Sequence, residues 1–287
     1  MYTAKIQNSN GNILTLTGNE SQWQVVSITG LNPPKAQVNT TSIAGLDGAK
    51  LNSTMLETRN IVIMLRLNGN NVESNRQLMY MYFRTKDTCT FYYQNQNLDV
   101  SIQGVVESVE CNLFAKGEMM QISIVCPFPY FQSIDEITAD ISNETAAFSF
   151  PFAIDIGSPV EFSLYQNNRV TNVFNNSESE TGVTIEIDVL NSVNSVKIIN
   201  TATGDYIAIS SAFVAGDRII ICTNEGQKSV KLVRNGATTN IFSSVQRGST
   251  FFQLAVGDNE FSYQADSGAS DSFVFIVFRF SNLYRGV

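Results

Sequence analysis

The sequence predicts a mainly β protein of two domains: an N-terminal β domain carrying one α-helix, and a C-terminal antiparallel β-sandwich. Three observations predict it. Short β-prone runs recur along most of the 287 residues, and Gly, Asn and Asp close them. Charged residues make up only 15%, with Asn, Ser and Thr abundant, a bias that suits turn-rich sheets. The stretch Val125-Cys-Pro-Phe-Pro-Tyr-Phe-Gln-Ser133 interrupts the pattern near the middle. Two prolines one residue apart cannot both donate to a sheet ladder, so the chain leaves its sheet there as a stiff extended piece.

The first domain is read as residues 1–135. Ile13–Thr17 and Gln24–Ile28 are short strands closed by Gly18 and Gly30, and the GLNPP run at 30–34 is a loop. Two glycines around Leu46-Asp47 mark a tight turn. Arg59–Leu67 is a strand with Ile61, Ile63, Leu65 and Leu67 on one face. One helix is expected from about residue 72 to 84. Ser74-x-x-Gln77 has capping-box spacing, and the pairs Leu78/Tyr82 and Met79/Phe83 fall four apart. Strands resume at Cys89–Tyr93, Leu98–Val109 with its continuation past Cys111, and Met119–Cys126. Phe128, Tyr130 and Phe131 are expected to pack the extended exit against a surface.

Residues 136–150 read as a polar, acidic linker, and residues 151–287 as the second domain. No strong helical period appears past residue 150. Strands are expected at 162–165, 183–189, 195–200, 206–209, 218–223, 229–233, 251–254, 260–264 and 273–280, separated by turns such as Val214-Ala-Gly-Asp217.

Composition removes whole classes of chemistry. The chain has no histidine, which excludes Ser-His-Asp and Cys-His catalysis and imidazole-ligated metals. The cysteines Cys89, Cys111, Cys126 and Cys222 form no CxxC pair; with no basic-apolar leader at the start, they read as reduced thiols. No apolar run is long enough to span a bilayer as a helix. The net charge of −8 argues against a phosphate-binding surface. That charge is uneven: residues 1–135 carry 9 basic against 10 acidic side chains, and residues 136–287 carry 9 against 16. The 26 carboxylates read as solvated loops rather than a glycosidase pair. The GLDG and VGDN runs lack the alternating acids of a calcium loop, and no glycine run continues into Gly-Lys-Ser/Thr. No catalytic, cofactor or metal residues are assigned.

The order and spacing of several motifs resemble the distal tail proteins of long non-contractile phage tails. In that family a Gly-x-Asp-Gly turn, here Gly45–Gly48, precedes an Arg-Asn-Ile strand, here Arg59–Ile61. A Gly-x-Val-x-x-Val-Glu strand, here Gly104–Glu110, runs into a hairpin, and Cys126-Pro-Phe-Pro-Tyr-Phe131 closes the first domain. The runs at 193–209, 214–236 and 254–266 are similar to the family's galectin-like sandwich. The resemblance implies a ring-forming β-barrel or sandwich followed by a galectin-like sandwich, and structural work in place of catalysis. It implies a hexameric hub at the distal end of the tail, made in the host cytoplasm and carried on the virion. The implied partners are further copies of the chain, the tail tube protein, a tail-associated lysin or tail spike protein, and a receptor-binding protein. DNA would pass the lumen without specific binding. No cofactor is implied. The alternative is a carbohydrate-binding adhesin module acting through the sandwich.

A closed ring needs a heterologous contact, and unpaired sheet edges are the cheapest complement for a neighbour. The candidate interface is therefore strands 59–67 and 98–109 with the extended 127–131 segment. Its residues are Arg59 and Arg66, expected to pair across it with Glu107 or Glu110, together with Pro127, Pro129 and Tyr130.

Overall fold

A computed structural model describes residues 2–18, 21–45, 47–68, 71–113, 117–141, 144–146, 163–165, 170–265 and 274–287. They divide into two units, Met1–Asp135 with Leu283–Val287, and Glu136–Asn282.

Alternating side chains build the first unit. Its strands are β1 (Thr3–Asn8), β2 (Ile13–Thr15), β3 (Trp23–Thr29), β4 (Ala36–Ser42), β5 (Ala49–Leu56), β6 (Arg59–Leu67), then helix α1 (Val72–Tyr82), β7 (Thr88–Gln94), β8 (Asp99–Cys111), β9 (Met119–Cys126) and β10 (Phe131–Ser133). Along β6 every second residue, Ile61 to Leu67, is buried; Phe91 and Tyr93 of β7, Val100 and Ile102 of β8, and Ile122 and Ile124 of β9 join them in one core. The strands pair antiparallel in the order β2-β1-β7-β8-β9-β6-β3. β8, 13 residues long, passes from β7 to β9 at Val105 and carries one bulge just beyond, between Val106 and Ser108. Trp23 is buried and donates its indole N–H to the Leu16 carbonyl at 2.9 Å.

The helix holds Met79 and Phe83 in this core, with Leu78 and Tyr82 half-buried against it, as the four-residue spacing predicts. Its cap differs from the expected one. Asn71 is the N-cap and its Oδ1 accepts from the Ser74 amide at 3.2 Å. Ser74 sits a turn inside, because the asparagine upstream offers the same oxygen to the free amides of the first turn.

The second unit is a sandwich. Its strands are β11 (Ile137–Ile141), β12 (Glu144–Ala146), β13 (Ser163–Tyr165), β14 (Val170–Asn175), β15 (Thr184–Val189), β16 (Val193–Asn200), β17 (Tyr206–Phe213), β18 (Arg218–Cys222), β19 (Ser229–Arg234), β20 (Ala237–Asn240), β21 (Gly257–Ala265) and β22 (Val274–Phe280). One sheet runs β11-β22-β15-β18-β19-β20 and another β14-β21-β16-β17; β12 pairs β13. Inward residues of both larger sheets form one core, crossed by the stacked rings of Phe252, Phe261 and Phe278 at 5.0 and 4.9 Å. The buried Asn259 side chain is satisfied locally. Asn259 donates to the Ala255, Gly257 and Val173 carbonyls and accepts from the Ala255 amide.

The second unit differs from the sequence expectation in several places, among them the unexpected strands β14 and β20. The expected linker begins with a strand, since Ile137–Ile141 pairs along β22 in register from Ile137↔Phe280 to Ile141↔Ile276. The expected strand at 251–254 is only a bridge from Leu254 to Thr181. Residues 142–143 and 147–150 of the linker lie outside the described residues. The last strand, β23 (Leu283–Tyr284), returns to the first unit and pairs with β10 through Phe131↔Tyr284 and Gln132↔Leu283.

Candidate assembly site

Strands β4 and β5 form a two-stranded ribbon that belongs to neither large sheet. Its register runs from Ala36↔Leu56 to Ser42↔Ala49, with one irregularity after Asn39 that leaves Asn52 as the extra residue. Glycines flank its turn at Gly45 and Gly48, both with positive φ. Nearly every side chain on both strands is exposed.

Alternation sorts those side chains into two unlike faces. One carries Ala36, Val38, Thr40 and Ser42 opposite Leu56, Thr54, Leu51 and Ala49, with no charge. Val38 and Leu51 there are 55% and 58% exposed. The other carries Gln37, Asn39, Thr41, Lys50 and Ser53, laced by bonds from Asn39 Nδ2 to Ser53 Oγ (3.0 Å) and Asn52 Nδ2 to Thr41 Oγ1 (2.6 Å). Met55, also exposed, is the one apolar residue on the polar face. A lone two-stranded ribbon is marginal in water, so this arm has apolar area to bury and no core of its own to bury it in.

The expected interface residues fall in three places. Arg59 is inside the first unit, only 3% exposed. Its Nε donates to the Pro129 carbonyl at 2.8 Å, Nη1 to Gly30 and Asn32 at 2.5 and 2.7 Å, and Nη2 to Arg285 at 2.5 Å. The Phe131 ring lies 4.5 Å below the guanidinium. Burial pulls its pKa down from the ordinary arginine value. Arg59 therefore cannot pair with a neighbour's carboxylate. The strand's parity explains the correction: Arg59 shares the inward phase of Ile61 and Ile63, and Arg66 has the outward phase.

Arg66, Glu107 and Glu110 are exposed on strand faces. Arg66 lies between Gln24 and Met119 in the register and pairs with no carboxylate among the described residues. Glu107 sits in the β8 bulge with Oε2 2.8 Å from Ser123 Oγ. Pro127 is exposed, Pro129 and Tyr130 are half-buried, and the Tyr130 ring leans on Phe128 at 5.3 Å.

Of the two expected edges, β6 is interior: it lies between β9 and β3, so its ladder groups are already paired within the chain. β8 pairs β7 over Asp99–Val105 and β9 over Val105–Cys111, with β10 touching it at Val100 and Ser101, so it is flanked over part of its length. Strands β2 and β3 end the path, and the ribbon stands apart. The sequence analysis places a tight turn around Leu46-Asp47 and no strand at 36–42 or 49–56. The Thr- and Val-containing runs flanking that double-glycine turn were the available signal for a hairpin.

Burial pushes the Cys89 thiol up to about 12 and Cys126 to about 11, so both remain protonated. All four cysteines are free. Among the described residues there is no cluster suited to a metal ion, and no helix long and apolar enough to cross a membrane.

Comparison with known proteins agrees with this architecture. Residues 3–126 match the phage tail protein RIFT-related domain, and residues 176–280 match the C-terminal domain of the siphovirus-type tail component. Among solved structures, the Dit protein of phage SPP1, a paradigm of the hub of the adsorption apparatus in phages infecting Gram-positive bacteria, is 12% identical. The likeness covers 98% of this chain and 99% of that one at a TM-score of 0.70. Chains of the phage P2 baseplate in its activated conformation, with calcium and with strontium, are each 13% identical over the full length of both chains, at TM-scores of 0.59 and 0.58. No curated protein matches the sequence. The two domain matches, in this order on this fold, define a structural component of a phage tail. The chain belongs to the siphovirus distal tail protein family.

Proposed function

We propose that this protein forms a closed hexameric ring at the distal end of a long non-contractile tail, joining the tail tube to the adsorption apparatus. The observation that carries the reading is the ribbon Ala36–Leu56, an amphipathic arm whose uncharged face has no partner in its own unit. A ring of identical subunits needs a patch on one copy to meet a different patch on the next. The arm supplies the first patch. Arg66, Glu107, Glu110, Pro127, Pro129 and Tyr130 are the exposed or half-exposed residues proposed to flank the contact. The second unit offers its outer faces to a tail-associated lysin, spike or receptor-binding protein. DNA passes the lumen without being held, in keeping with the near-neutral charge of residues 1–135. The work is mechanical and no bond is made or broken.

The test is the oligomeric state of the full chain by light scattering and negative-stain microscopy, alone and with tail tube protein. Rings are expected for the wild type, and loss of rings with unchanged monomer folding for the double variant Val38→Ser, Leu51→Ser. A wild type that stays monomeric beside tube protein, or a double variant that still closes rings, overturns the proposal.

A further inference from the structure

The arm's root is a meeting point of chain segments far apart in sequence. Gly30 to Asn32 leads from β3 toward the arm. Arg59 follows the arm's second strand by three residues. Pro129 lies on the way out of the first unit, and Arg285 on the way back from the second. The Arg59 guanidinium binds carbonyls of all three other segments at once, with no carboxylate among those partners. A buried cation held by four carbonyl dipoles and a ring face tolerates little displacement of any of them.

The returning segment adds two holds of its own. The Val287 amide donates to the Leu31 carbonyl at 3.1 Å. Gly286 lies so close to the loop that a Cβ there would come within 2.9 Å of Pro33 Cδ. Gly30 is equally constrained, with φ +84° and its missing Cβ on top of the Asn60 carbonyl. Beyond these holds the ribbon has one closing bond at its base, from the Glu57 amide to the Lys35 carbonyl at 2.9 Å.

We infer that Arg59 and the segment Leu283–Val287 form a junction that sets the direction of the arm, so that the arm is fully positioned only when the chain has passed through the second unit and returned. Leverage makes the junction matter. An arm of seven or eight residues per strand is about 25 Å long, so a tilt of ~10° at the root moves its tip by ~4 Å, close to one strand spacing. Apolar complementarity does not survive such a shift. A nascent chain that has made the first unit alone lacks the Arg285 acceptor and the Val287 donor, and its arm root is incomplete. Full-length chains are thereby favoured for assembly over truncated ones. This last consequence rests on the arm's proposed role in the ring; the junction does not.

Limited trypsin cleavage after Lys35, an exposed site at the root, reads the junction directly. The variants are Gly286→Val, which pushes the returning segment off Pro33, and Arg59→Met, with Arg59→Lys as the milder change. Cleavage after Lys35 is expected to accelerate about tenfold or more in Gly286→Val, relative to cleavage after the exposed Lys228 of the second unit. Buried Trp23 fluorescence confirms that the first unit remains folded. If Arg59→Met fails that check, Gly286→Val and Arg59→Lys carry the test. Wild-type cleavage after Lys35 in both of those variants overturns the inference. Made in the Val38→Ser, Leu51→Ser background, where no rings are expected, all these measurements use monomer, so a failure of ring formation would not alter them and the two readings fall separately.

Discussion

Two hairpins of this protein have nearly the same backbone and opposite fates. The arm pairs seven residues of β4 with eight of β5, and β16 pairs with β17 over eight residues each. Each has one irregularity, after Asn39 in the arm and between Val193 and Ser195 in the sandwich. In the sandwich hairpin the inward positions hold Val193, Val196, Ile198, Ile207, Ile209 and Phe213, all buried. In the arm the equivalent face holds two alanines, two threonines, a serine, Val38, Leu51 and Leu56. Backbone pairing and turn residues are enough to make a ribbon. What the ribbon does next depends on its side chains: a face of large branched residues is consumed by its own domain, and one of small residues with a few apolar ones remains available to another molecule.

The strongest way to sharpen the contrast is to empty one position in the sandwich hairpin. Ile198→Ala should cost about 2–5 kcal/mol, the usual range for a fully buried aliphatic side chain. The loss should appear in the unfolding transition of the second unit followed by circular dichroism. Trp23, the only tryptophan, lies in the first unit and reports that unit separately. A Trp23 transition that moves in parallel would mean the two units unfold as one.

These elements also show how far the sequence could be read. Strand β9 was legible to the residue because Met120, Ile122 and Ile124 alternate strictly and a proline ends the run. The helix was legible from its four-residue pairs, but the cap was misplaced because two side chains compete for the same free amides. Arg59 was set on the surface because its charge was weighed above its parity in β6. The edge expected at 59–67 is interior because pairing order is nonlocal, and nothing within 59–67 says that β3 and β9 flank it. The arm escaped notice because strand signals are strongest where residues are buried, and its residues are exposed.

Acid should break the contrast from the other side. Asp217, at the turn before β18, is buried; it accepts from Arg234 Nε at 2.7 Å, Arg234 Nη2 at 2.5 Å and the Val214 amide at 2.9 Å. The Arg234 bonds chiefly hold its carboxyl below the ordinary value, the Val214 amide adds to this, and burial opposes both. The native pKa is therefore lower than the unfolded one. Its stabilising contribution is complete above the unfolded value, near pH 4, and is lost as pH falls through the native one. Asp217→Asn should lower the stability of the second unit at neutral pH and flatten its decline below about pH 4. An unchanged acid limb would remove Asp217 as its cause. The arm strands contain no carboxylate, so their pairing should not respond over the same range.

The smallest expected effect on stability is the most informative about the arm. Thr40, exposed, and Asn39, half-buried, are adjacent, belong to neither core, and point to opposite faces of the ribbon. Lysine at either position should change monomer unfolding by no more than about 0.5 kcal/mol, as for ordinary surface substitutions. If the uncharged face is what a neighbouring copy covers, Thr40→Lys places an unpaired charge in that contact and should abolish rings. Asn39→Lys, on the face that already carries Lys50, should leave rings intact. Equal loss with both variants would mean the arm is clasped on two sides. Loss with Asn39→Lys alone would mean that the polar face makes the contact and that apolar exposure on the other face has a different cause.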